Sequence, residues 1–186
     1  MENALNNVIE KISSYEIFNN IIPGVIYSVF TEKLTDFHIT TENVFMNIVL
    51  LYFIGLVIGR IGSISSDFIG WCLKKFGWRS FLNFAPYSDY IAVERKDEKG
   101  RIRNLVAISN MYRTFASLSV CLICTVALDG IWLTIFADDS CRIVLIIAFF
   151  AFLAILFMFS YRKQADYITK RISAVLEKEE NENRDN

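Results

Sequence analysis

The chain has 186 residues, of which 54% are hydrophobic, and its 19 basic and 20 acidic side chains nearly cancel. Three long apolar stretches in so short a chain exclude a soluble domain, whose core would be too small to hide three such helices. Sixteen Phe against two Pro and eight Gly, with no repeated segments of alternating polarity, exclude a β-barrel.

Residues 1–16 form an N-terminal amphipathic segment. Its first ten residues are polar and acidic without a basic stretch, so no cleavable signal peptide is expected. Leu5, Val8, Ile9 and Ile12 recur at helical spacing, a stripe suited to the membrane surface or to a partner. Residues 17–36 read as a short first span or a re-entrant helix. Asn20 is placed to cap it, with Pro23 in the first turn. A full crossing would extend through Thr31 to Leu34, with Glu32 and Lys33 reaching for the surface.

The next transmembrane helix is expected over 43–62. Its first seventeen residues carry no charge, close to the roughly 20 helical residues that cross a bilayer core of about 30 Å. Asn47 in this stretch is read as bonding across helices or lining a pore. Gly55 and Gly59 form a GxxxG step, which serves self-association or packing within the chain. Arg60 follows as a snorkelling anchor or as a cation lining a vestibule.

Residues 63–113 form a basic and aromatic region. Helical periodicity continues to Phe76, followed by Lys74, Lys75, Trp78 and Arg79 near headgroup depth, and 81–90 reads as a loop around Pro86. The charged run 94–103 surrounds Gly100 and includes Arg101 and Arg103, after which 104–113 is a helix that enters the next span without a break. That span, 114–136, holds one carboxylate, Asp129, which should face water, a subunit interface or a partner. A turn with Asp138 and Asp139 leads to the last span, 141–161, where nineteen consecutive residues are uncharged. In the amphipathic tail, 162–186, Ala165, Ile168, Ile172, Val175 and Leu176 share one face, extending the last span or bending along the surface.

Charge fixes the expected orientation. Net charge is −4 over 1–42, +5 over 60–113, −2 over 114–161 and zero in the tail. Basic residues beside spans mark the cytoplasmic side. The expectation is an all-α integral membrane protein with four spans and both termini cytoplasmic, or three if 17–36 does not cross. Amphipathic cytoplasmic helices complete it.

Arg113 and Arg162 match Arg60 in depth, so the three arginines read as an anchoring ring or a phosphate site. Lys74, Lys75, Arg79, Arg101 and Arg103, interleaved with aromatic rings, suit anionic lipid headgroups or single-stranded nucleic acid and nucleotides. Cys121 and Cys124 lie at an i, i+3 spacing that fits zinc or, more plainly, helix packing. The single histidine, His38, sits in a loop, and no hydrolase, metalloprotease or phosphate-loop motif occurs. Catalysis and cofactors are therefore not expected.

Four short runs carry a resemblance: Ile21-Ile22-Pro23-Gly24, Gly55 to Arg60 continuing as Ile61-Gly62-Ser63, Tyr112-Arg113, and Tyr161-Arg162 before a helical tail. In layout the chain resembles small bacterial anti-phage defence membrane proteins, most closely the membrane effectors of the Hailong system. The resemblance implies an oligomeric inner-membrane ion channel held closed by short DNA that a partner nucleotidyltransferase makes. Loss of that DNA would open the channel and depolarise the cell. It also implies that Arg60, Arg113 and Arg162 are the DNA anchors nearest the pore. The alternative reading is a non-conducting scaffold or sensor that recruits a cytosolic enzyme.

Overall fold

The computed structural model describes residues 17–75, 85–96, 100–134 and 140–184. The amphipathic stripe before residue 17, Arg79 with its neighbouring aromatic residues, and the Asp138–Asp139 turn lie outside the described residues. Within them the chain is helical without strands. A widened turn, Ile17–Ile21, leads into α1 (Ile22–Leu34). Then come α2 (Val44–Lys75), α3 (Tyr87–Lys96), α4 (Arg101–Thr134) and α5 (Ser140–Arg184).

The widened turn has a local cause. Pro23 has no N–H to give the preceding turn, and its ring crowds the carbonyl four residues back. The chain there adopts i→i+5 geometry in place of the α pattern. The expected Asn20 cap is accordingly absent: the position before α1 is Ile21, helical in its dihedrals and making no side-chain cap bond.

Helix α2 does have a side-chain cap. Asn43 Oδ1 accepts from the backbone N–H groups of Phe45 and Met46 at 3.0 and 3.3 Å. Once started, α2 runs 32 residues without a break, through the expected span and the helical periodicity that follows it. The segment expected as a loop over 81–90 turns helical at Tyr87. Gly100, with φ of +59°, supplies the left-handed residue that lets α4 begin at Arg101.

Among the described residues three helices are long and apolar enough to cross a membrane: Val44–Asp67 of α2, Arg101–Gly130 of α4 and Arg142–Lys178 of α5. In its most apolar stretch α4 is 39% buried, against 11% for α2 and 6% for α5. Helix α4 is thus the axis of the bundle, with α1, α2 and α5 packed around it. Gly24 lies against the Leu51 carbonyl and Gly55 against that of Asn20, so α1 and α2 form an antiparallel hairpin.

Two apolar clusters divide the molecule. The first joins all four long elements through Ile58, Leu118, Leu122 and Phe150, with Ile26 and Tyr27 from α1 against them. The second lies at the start of α4 and along the later half of α5, where Val93 of α3, Ile102 of α4 and Ile172 of α5 are each no more than 3% exposed. The tail stripe is thereby accounted for: α5 continues as one 45-residue helix, about 67 Å at 1.5 Å per residue, and packs on α3 and α4.

Candidate functional site

The GxxxG step and the widened turn build one site together. Helix α2 approaches the turn so closely that a Cβ on Gly55 would overlap the Asn20 carbonyl. One turn along, a Cβ on Gly59 would stand 3.7 Å from Thr114 Oγ1, and a Cβ on Gly62 would stand 3.2 Å from the Arg113 carbonyl. Both glycines of the motif are taken up by packing within the chain. Beside this contact Ser117 Oγ donates to the Ile58 carbonyl at 2.9 Å, tying α4 to α2.

Close approach leaves a cleft at the end of the apolar bundle. It holds about 290 Å³ and is lined by Asn19 and Asn20 of the turn, Leu56, Gly59, Arg60 and Ser63 of α2, and Asn110, Arg113 and Thr114 of α4. Two guanidinium groups therefore border a cavity that has no carboxylate in its lining. Asn19 is only 6% exposed, and neither its Oδ1 nor its Nδ2 has a hydrogen-bond partner. Arg113 is half-buried, and its Nε is likewise buried without a partner. A buried amide without partners costs about 1–3 kcal/mol, so this arrangement is unfavourable unless something polar occupies the cleft.

Of the three arginines expected at one depth, Arg60 and Arg113 converge here. Arg162 does not line the cleft and lies half-buried on α5. Lys74 and Lys75 fall on the last turn of α2, and Arg101 and Arg103 on the first turn of α4, where both are exposed. These residues extend the cationic end of the molecule beyond the cleft.

Asn47 is engaged locally. Its Oδ1 accepts from Thr41 N–H at 2.8 Å and from Thr41 Oγ1 at 3.0 Å, and its Nδ2 donates to the Thr41 carbonyl at 2.7 Å. It clamps the α1–α2 loop. Asp129 is half-exposed, sixteen residues along α4 from Arg113, or about 24 Å. Beside it a Cβ on Gly130 would meet Ile143 of α5 at 3.2 Å, so a close helix crossing fixes that far end.

Cys121 is half-buried and Cys124 exposed, and no group of three metal-ligating side chains occurs among the described residues. The sequence reading missed Asn19 as a site residue. Its only signal was an Asn-Asn pair inside an otherwise apolar run, which by itself reads as a helix start. Comparison with protein-family models, curated proteins and solved structures finds no match to this chain.

Proposed function

We propose that this chain is a multi-pass protein of the bacterial inner membrane that assembles as a homo-oligomeric ion channel. A nucleic acid or nucleotide bound from the cytoplasm holds the channel closed, and loss of that ligand opens it. The observation that carries the proposal is the cleft. Cations from α2 and α4 meet at the seam between two helices long enough to span, so an anion bound there touches both. Such a ligand gates only if it binds the closed arrangement more tightly than the open one. The basic surplus of residues 60–113 supports a cleft at the cytoplasmic face.

Helix α1 with its preceding turn serves as a fourth, short span. Its buried face is small and polar (Gly24, Ser28, Thr31), while Val25, Val29 and Phe30 remain exposed. That pattern inverts a water-soluble helix and suits one surrounded by lipid. Exposed apolar faces on α2 and α5, with Phe45, Val49 and Phe53 on one and Phe149, Phe152 and Phe159 on the other, suit lipid and neighbouring subunits. A lumen formed between such faces would close by dewetting, and Asp129 at the outer end would attract cations.

The test is ion flux in liposomes holding the purified protein. Flux above that of empty vesicles is expected, falling as an oligonucleotide or nucleotide is added on the side of the cleft. A bilayer that stays tight with and without every ligand would overturn the channel reading and favour the recruiting scaffold.

A further inference from the structure

We infer that the cleft recognises a phosphate monoester, the terminal phosphate of a ligand and not the bridging diester of a polynucleotide. This deepens the gating proposal and rests on its placement of the cleft at the cytoplasmic face. The charge balance points to it: two guanidinium groups and no carboxylate line the cavity. A monoester carries about −1.5 to −2 at pH 7 and offers three acceptor oxygens, whereas a diester carries a single charge. Arginine is also the side chain whose fork of donors fits phosphate oxygens best.

Asn19 supplies the second argument. Its amide is more than nine-tenths buried, lines the cleft and has no partner on either atom. Its Nδ2 can donate to a phosphate oxygen and its Oδ1 can accept from a sugar hydroxyl or a protonated ester. Arg113 Nε, also buried without a partner, offers a further donor from α4. Size agrees, since about 290 Å³ lies at the lower edge of the range of roughly 300–1,000 Å³ typical of small-ligand sites. A phosphate with its sugar fits such a space.

Both a soluble nucleotide and a lipid headgroup of the monoester type present such a phosphate, and the experiment separates the two. The full chain is placed in nanodiscs of zwitterionic phosphatidylcholine and titrated with inorganic phosphate, a nucleoside 5′-monophosphate and the matching nucleoside. Phosphate and the nucleotide are expected to raise the thermal midpoint, and the nucleoside is not. Binding should strengthen as pH rises through about 6, where the second phosphate proton leaves. Arg60→Gln, at an exposed position where folding is not at stake, and Arg113→Gln should each weaken nucleotide binding about tenfold or more.

Asn19→Leu gives the sharpest outcome. It should raise the unliganded midpoint, because a buried unpartnered amide is removed, while weakening the nucleotide by a similar factor. Nanodiscs containing phosphatidic acid identify the source. If they raise the midpoint and exclude the nucleotide, the monoester is a lipid's, and phosphatidylglycerol, a diester, should not do so. Equal binding of nucleoside and nucleotide, or an Asn19→Leu variant that melts lower and binds phosphate unchanged, would overturn the inference. Because these readouts need no conductance, phosphate binding without ion flux sinks only the channel proposal. Flux with no phosphate binding sinks only this one.

Discussion

Gly55 and Gly59 show how one motif can hold two different constraints. At Gly55 an added methyl would overlap backbone, the Asn20 carbonyl, which has no rotamer to give. At Gly59 the same methyl would meet only Thr114 at ordinary contact distance. Gly55→Ala is therefore expected to destabilise the protein by about 2 kcal/mol, lowering the melting midpoint in detergent by about 5 °C. Gly59→Ala should be neutral or slightly stabilising, since Ala is the better helix former. Equal loss at both positions, accompanied by loss of oligomers, would instead mean that the motif serves self-association. The motif itself was legible in the sequence. Which glycine matters was not, because the partner is a carbonyl in a turn that only the absence of an N–H at Pro23 explains.

The same limit applies to the elements. Apolar run length gave α2, α4 and α5, and the tail stripe gave the face of α5 that packs on α3. Two features escaped: the helix at Tyr87, and the work done by Asn47 in its own loop. Local polar bonds decide such details, and they leave no periodic trace. The α1–α2 connection is pinned by two of them, Asn47 on Thr41 and Glu32 on Thr40. Glu32 accepts from Thr40 N–H, from Thr40 Oγ1 at 2.7 Å and from Ile39 N–H at 3.0 Å.

Glu32→Gln should loosen this clamp, so the Ile39 and Thr40 amide protons are expected to exchange with solvent faster than in the native chain. Unchanged exchange at both amides would contradict the clamp.

At the scale of the whole molecule, two apolar cores hold the helices. Around Leu122 the helices hold together by packing and by bonds such as Tyr27 Oη with Thr125 Oγ1 at 2.8 Å and Ser117 with Ile58, a kind of bond worth about 0.6 kcal/mol on average between membrane helices. Around Ile172 three helices close over large aliphatic side chains, and burying one fully out of water is worth about 1.5–3 kcal/mol. The cleft lies at the junction of the two regions, where a bound anion can bias how α2 sits on α4. Everything proposed for it requires that the cationic end face the cytoplasm and the Glu32 loop face outward.

Single cysteines read that arrangement directly. With the four native cysteines replaced by serine or alanine, Thr40→Cys and Arg103→Cys are labelled in intact spheroplasts by a membrane-impermeant maleimide. Thr40→Cys should react from outside, and Arg103→Cys only after the membrane is opened. Labelling of Arg103→Cys in sealed cells, or recovery of the protein in the soluble fraction, would contradict the account.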